Sequence, residues 1–324
     1  MHPEPLFHIF GLEVHAYGIC MAVGILLCFL FLYLTFRREK FNEDASDIIL
    51  LVGIFAVPIG ILFAVLFQNL YDFIDHPATY QFSGRMTFLG GLIGGVGSYL
   101  GIYNLYVHVI APKTSIKWLK NNANAGLCDA LPVIPIGICI AHAFGRLGCF
   151  FAGCCAGGPT EAWYGLPCSS SYAGNVVPVQ LFECLFLLVL GGVMAFLFFR
   201  FRFEQNFGVY AIGYGIWRFC IEFARGDDRG TLFGNLSPSQ FWCIVMVLCG
   251  IGYFFLYRYV LKSRMKRPYL AASEAATSVG GEPQTEPASE PPASSEAEAS
   301  NEQADKETNE PTSNPIPPNE NNDN

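Results

Sequence analysis

A chain of 324 residues that is 52% hydrophobic and only 14% charged falls well short of the quarter or so of charged residues found in soluble domains. Its formal net charge of −8 is unevenly placed: twelve acidic residues face only Lys306 beyond Leu270, so the tail carries eleven excess negative charges and the rest of the chain is net +3. The acidic balance therefore says nothing about substrate, and no basic nucleic-acid patch, phosphate-binding glycine loop or dinucleotide fingerprint is present.

The chain begins MHPEPLFHIFGLE, without a basic region ahead of an apolar run, so no ordinary cleaved signal peptide is expected. About 20 apolar residues cross a bilayer core as a helix. Seven segments have that character: Tyr17–Phe36, Ile48–Gln68, Thr87–Ile110, Cys128–Gly145, Val179–Phe199, Phe207–Ala224 and Pro238–Leu261. Unpaired backbone groups are not tolerated in lipid and these runs are too long for barrel strands, so helices are expected. The expected fold class is an all-α integral membrane protein, a bundle of about seven transmembrane helices with a small outward-facing loop domain. Residues 1–16 form an outward N-terminal segment in this reading. Residues 17–264 form the membrane domain, with an outer loop region at 147–178. Residues 265–324, rich in Pro, Glu, Ser, Ala and Asn, form a disordered acidic tail.

Lysine and arginine orient the bundle. Arg37, Arg38 and Lys40 follow the first span, and Lys113, Lys117 and Lys120 the third. Arg200 and Arg202 follow the fifth, and Lys262, Arg264, Lys266 and Arg267 the seventh. Basic loops stay in the cytoplasm, which puts the N-terminus outside and the tail inside. The third span opens FLGGLIGGVGSYLG, and its Gly90/Gly94, Gly91/Gly95 and Gly97/Gly101 pairs suit close helix packing.

A charge near mid-bilayer costs ~2.5–3.5 kcal/mol on insertion scales and usually faces a cavity. In the sixth span Tyr210, Tyr214, Arg218, Glu222 and Arg225 fall on one helix face, with Ile212, Ile216, Phe219 and Phe223 opposite. Arg218 and Glu222 either serve a ligand or pair only to lock helices. In the fourth span Asp129, Pro132, Pro135, Cys139, His142 and Arg146 recur at three or four, ending at the outer boundary. Gln180 and Glu183 share a face at the start of the fifth, suited to a substrate or to a neighbouring helix. Arginine forks bind phosphate and keep their charge when desolvated, so the natural ligand is a lipid phosphate in the outer leaflet.

These residues also resemble a family. GRLGCFFAGCCAG at Gly145–Gly157 and YGIWRFCIEFARGDDRG at Tyr214–Gly230 resemble the signatures of the prolipoprotein diacylglyceryl transferases. PVQLFE at Pro178–Glu183, FLGGLIGG at Phe88–Gly95 and AYGICMAVG at Ala16–Gly24 are similar to further family segments, in the expected order. The resemblance implies a bacterial plasma (inner) membrane enzyme that needs no cofactor. Such an enzyme moves the sn-1,2-diacylglyceryl group of phosphatidylglycerol to the lipobox cysteine thiol of a preprolipoprotein, forming a thioether and releasing glycerol phosphate. It implies that Arg146 binds the lipid phosphate, that Arg218 is a second essential arginine partnered by Glu222, and that Tyr17, Tyr214, Gly157, Gln180 and Glu183 occupy functional positions. His142 and Arg225 lie on the same polar faces. The sequence departs from the family pattern at Leu89 and Val177, where histidines are common, and at Cys149 and Cys154, where asparagine and glutamate are common. Either the base is dispensable, or a group such as Tyr17, His142 or Glu222 helps deprotonate the thiol, or the chain is a diverged member with another acceptor.

Most of the twelve cysteines lie in apolar runs and behave as small hydrophobes. Cys149, Cys154, Cys155 and Cys168 cluster in the outward connection, where one or two disulfides are the working expectation. The C-x4-C-C-x12-C spacing is not a usual zinc pattern, so no metal is expected. Two other functions suit parts of the pattern: a transporter or flippase for an anionic lipid or small anion, and an intramembrane redox protein. No internal repeat favours the former and no C-x-x-C the latter.

Overall fold

The computed structural model describes residues 4–9, 12–41, 43–114, 127–167, 174–225 and 236–262. The acidic tail, Cys168 and the loop lysines Lys117 and Lys120 lie outside the described residues. A short hairpin of β1 (Phe7–Ile9) and β2 (Leu12–Val14), with Phe7 opposite Val14, leads into the first helix. The helices are α1 (Ala16–Arg38), α2 (Glu43–Asp75), α3 (Phe88–Leu105), α4 (Ile134–Ala152), α5 (Val179–Phe201), α6 (Asn206–Ile221) and α7 (Pro238–Leu256). Two-residue strands β3 (Leu166–Pro167) and β4 (Asn175–Val176) pair antiparallel in the connection between α4 and α5.

All seven expected segments are helical. Five helical stretches are long and apolar enough to cross a membrane: Ala16–Arg38, Ser46–Ile74, Ile134–Ala152, Val179–Phe201 and Pro238–Leu261. The expected third and sixth spans are present as α3, which runs on through a π turn at Tyr106–Ile110, and as the 16-residue α6, which continues as a 3-10 turn at Glu222–Ala224. The protein is thus an all-α membrane protein with multiple apolar helices.

The fourth span differs most from its expected limits of Cys128–Gly145. A single helical turn at Leu127–Ala130 is followed by a break at residues 131–133, and α4 then runs to Ala152. Pro132 and Pro135 explain the break. Proline has no N–H to give a preceding turn, but it is tolerated at a helix start, where Pro135 sits. The break exposes a carbonyl that needs a donor. Asn206, with no solvent exposure, donates from Nδ2 to the Pro132 carbonyl at 2.8 Å and to the Met194 carbonyl at 3.4 Å. One amide thereby ties the start of α6 to α5 and to the entrance of α4.

The main core joins α1, α4, α5 and α6 through Leu32, Phe36, Ile136, Cys139, Leu187 and Tyr214 among others. Helices α2 and α3 form a separate close pair. A Cβ built at Gly90 or Gly94 would fall 2.5 Å from Phe67 Cβ or 2.2 Å from Phe63 Cβ, and Gly60 faces Gly95 backbone to backbone. The expected glycine packing therefore holds for these pairs, whereas Gly97 and Gly101 meet nothing within 4 Å. At the far end of α1, buried Glu39 pairs with Arg202, which ends α5 in a left-handed conformation.

Gly94→Ala is expected to destabilise the α2–α3 pair by about 1–3 kcal/mol, the usual cost of overpacking. Gly97→Ala, added into open space, should leave stability unchanged. Thermal unfolding of both variants in one detergent checks this; an equal midpoint for the two would contradict the packing assignment.

Candidate active site

The site is built where α4, α5 and α6 meet. Arg146 lies on α4, one turn after His142. Its Nε stands 3.1 Å from Oε1 of Glu183 on α5, a carboxylate with a side-chain exposure of 1%. Tyr214 on α6 donates its hydroxyl hydrogen to the same Oε1 at 2.6 Å, while Arg146 Nη2 donates to the Tyr214 oxygen at 3.5 Å. A desolvated guanidinium is costly unless answered by a counter-charge, and arginine cannot shed its proton to escape. Glu183 supplies that charge from a second helix and Tyr214 orients it from a third.

His142 extends the network. Its Nδ1 is 3.3 Å from the Tyr210 hydroxyl, its ring stands edge-on to Tyr214 at 4.7 Å, and Tyr210 stacks on Tyr214 at 5.8 Å. Arg146 and Arg218 both lie within electrostatic reach of this imidazole. Tyr210 and Tyr214 of the α6 stripe therefore face α4, whereas Glu222 of the same stripe meets Ser237 at the start of α7. The opposite face is mixed: Ile216 and Phe223 are exposed, but Ile212 packs over Gly250 of α7.

Arg218 is buried and its Nη1 lies 2.6 Å from Oε2 of Glu222, with Arg225 Nε 3.9 Å from the same oxygen. This pair lies within one polypeptide stretch and by itself joins no two helices. The link to α7 is made by Ser237, whose hydroxyl donates to Glu222 Oε1 at 3.1 Å. Ser237 is also the N-cap of α7 and forms a reciprocal capping box with Gln240. Sequence reasoning passed over Ser237, although the S-x-x-Q pattern before an apolar run is a recognisable helix start. The arginine–carboxylate cluster, three guanidinium groups against two carboxylates, is net positive.

The remaining expected residues frame this cluster. Tyr17, in the first turn of α1, packs where a Cβ at Gly148 would come 3.1 Å from its ring, and lies within electrostatic reach of Arg146 and the cysteines. Gly157 donates its N–H to the Val177 carbonyl at 2.9 Å and bridges to Arg225, while Gly158 donates to the Ala224 carbonyl at 3.0 Å. A Cβ at Gly157 would fall 2.6 Å from that Ala224 oxygen, so only glycine fits this crossing. Gln180, 1% exposed, donates from Nε2 to the Cys154 carbonyl at 2.7 Å. It thus holds the loop, and its Oε1 has no hydrogen-bond partner among the described residues. Leu89, by contrast, is a partly exposed apolar side chain on α3.

The cysteines converge more closely than their spacing suggests. Helix α4 ends at Gly153 in a left-handed conformation (φ 68°), and the Cys154 N–H folds back onto the Cys149 carbonyl at 3.1 Å. Cys155 also takes a left-handed φ of 64°. The sulfurs of Cys149, Cys154 and Cys155 all lie within 4.8 Å of one another. Hydrogen bonds with Cys149 and Cys154, and then with Arg225, hold the Cys155 thiol well below the ordinary thiol range. Cys149, Cys154 and Cys155 are free thiols, so none of the expected disulfides joins two of these three, and Cys168 lies outside the described residues.

A model of the prolipoprotein diacylglyceryl transferase family matches residues 4–256. A phosphatidylglycerol–prolipoprotein diacylglyceryl transferase of Clostridium tetani is 30% identical over 262 residues, covering 78% of this chain and 97% of that protein. Proteins with the same name from Dehalococcoides mccartyi (30% identical, 78% of this chain and 92% of the relative) and Geobacter sulfurreducens (29% identical, 77% and 94%) align similarly. With a buried arginine cluster on the motif-bearing helices and a match that spans nearly the whole described bundle, this chain belongs to the prolipoprotein diacylglyceryl transferase family.

Proposed function

We propose that this protein transfers the diacylglyceryl group of phosphatidylglycerol to the lipobox cysteine thiol of a preprolipoprotein, and that Arg146 and Arg218 form its phosphate site. The observation that carries the reading is the pair of arginines on α4 and α6, both within reach of His142 and held by Glu183 and Glu222. The reaction forms a C–S bond at the glycerol carbon that bears the phosphoester. The C–O bond breaks, and its electron pair leaves on the phosphate oxygen as glycerol phosphate. Guanidinium groups aimed at that oxygen stabilise the charge that develops there. The nucleophile belongs to the acceptor, so the protein's own task is to hold the lipid and neutralise phosphate. Glu183 and Glu222 keep both forks fixed before substrate arrives, which limits reorganisation in the reaction.

An apolar cleft on the same helices, about two turns along α4 from Arg146, suits an acyl chain. It is lined by Phe31, Ile136, Cys139, Leu187, Gly191 and Ala195. Cys139 lies two turns before Arg146 on α4, and Leu187 one turn after Glu183 on α5.

Membrane-active substrates require that the site open to the outer leaflet. The positive-inside distribution supports an outward N-terminus, a membrane domain over residues 17–264, an outer loop region at 147–178 and a cytoplasmic tail at 265–324. The transferase is favoured over a transporter because α4 and α6 bear their charges at one end, beside the loop, and not along a through-path.

Arg146→Ala and Arg218→Ala should each lower transfer from phosphatidylglycerol to a lipobox peptide by roughly 10²–10³-fold while the protein still inserts, the usual cost of removing a charge-stabilising donor. Thioether product measured by mass spectrometry decides this, and wild-type rates in either variant would refute the site. A reporter fused after Lys262 that is active only in the cytoplasm should be active; activity of an exported-only reporter there would reverse the topology.

A further inference from the structure

We propose that Cys149, Cys154 and Cys155 form a three-thiolate zinc site whose remaining coordination position takes the acceptor thiol. The clause about the acceptor rests on the transferase reading; the metal site does not. In sequence C-x4-C-C is not a zinc pattern, but the reversal at Gly153 makes one in space. Zinc–thiolate bonds of about 2.3 Å put tetrahedral sulfurs about 3.8 Å apart. Three sulfurs already within 4.8 Å of one another need only a small adjustment to reach that separation.

Four further features of the surroundings suit a bound cation. Cys155 sits at φ 64°, a conformation that costs a non-glycine residue of order 1–3 kcal/mol and collects at functional sites. The turn is fastened from below by Gln180, which grips the Cys154 carbonyl at 2.7 Å. Arg225 hydrogen-bonds Cys155 and Arg146 acts on Cys149. Three thiolates and Zn²⁺ sum to a single negative charge, and these two guanidinium groups are placed to offset it. The site is open on one side, since Cys154 is exposed while Cys149 and Cys155 are half-buried.

The placement also answers a chemical need. Glu183 and Glu222 are both engaged by guanidinium groups, so either would have to leave its ion pair to take a thiol proton. Cys149 is three residues beyond Arg146 on the same helix, and Tyr17 lies within electrostatic reach of both. An acceptor thiol binding zinc there gives its proton to water. The bound sulfur then forms the C–S bond as the C–O bond to phosphate breaks, and the neutral thioether, a weak ligand, leaves the metal. No oxidant or reductant is consumed.

The test uses the full chain, purified in detergent under reducing conditions and without substrate. Zn²⁺ titrated against a chromophoric chelator should bind at about one equivalent per chain. Cys149→Ser and Cys155→Ser should each weaken binding by at least ~10-fold, and Cys220→Ser on the exposed face of α6 should not. Alkylation mapped by mass spectrometry should find Cys149, Cys154 and Cys155 protected by zinc in the unmutated protein, which keeps the test valid if a variant misfolds. Absence of stoichiometric zinc binding by the reduced protein overturns the site, as does a disulfide joining any two of the three in protein isolated without reductant. With Co²⁺ in place of zinc, a lipobox cysteine peptide should raise the thiolate-to-metal absorption and its serine counterpart should not. No rise overturns the acceptor role. Zinc and cobalt are read without lipid or turnover, so a metal-loaded protein that fails to transfer lipid refutes the transferase reading separately.

Discussion

Everything at the site depends on how one largely buried guanidinium is answered. Arg146 sits at the end of an apolar helix where an unpaired charge would cost several kcal/mol, and Glu183 lies 3.1 Å away on the next helix. That carboxylate is itself costly to bury, so Tyr214 from a third helix hydrogen-bonds it at 2.6 Å. The pair cannot be satisfied by any one helix, and α4, α5 and α6 must meet with fixed register for it to exist. Breaking either side leaves the other as an uncompensated charge. The network is therefore a structural tie, and the phosphate site proposed above would use the same atoms.

A second layer positions the chain over this cluster. Gly157 passes so close to Val177 and Ala224 that no side chain fits, which brings Arg225 against the loop. Gln180, one turn before Glu183 on α5, reaches the Cys154 carbonyl. The same short stretch of α5 thus fixes the arginine through Glu183 and the cysteine turn through Gln180. On the other side Ser237 ends the Arg218–Glu222 pair in a capped helix start. Three guanidinium groups, two carboxylates and three thiols are arranged by four elements within a few turns of one another.

The polar stripe of α6 was legible because every member follows from 3.6-residue spacing along one helix. So were the seven helices and the close packing at Gly90 and Gly94 of α3, each a matter of local pattern, though the same pattern at Gly97 and Gly101 packs against nothing. The break at residues 131–133 and the extension of α4 to Ala152 were not, because they depend on a donor from Asn206, far along the chain. Glu183 was legible as a buried acid, but its partner was open between a substrate and a neighbouring helix. Ser237 had a signal in its capping box, yet nothing local says that its hydroxyl serves Glu222.

The amino-acid sequence by itself determined that this is a multi-helix membrane protein with arginines inside it, since hydropathy and periodicity are properties of single segments. It also determined the motifs by which the family is recognised. Only the tertiary structure decided that Arg146 is held by Glu183 and Tyr214, and that Gln180 holds a loop. It alone placed three cysteines of unpromising spacing within 4.8 Å of each other. The physical reason is common to all three. Each interaction joins groups on different elements, and its energy is set by how those elements pack and exclude water, which no single stretch of residues encodes.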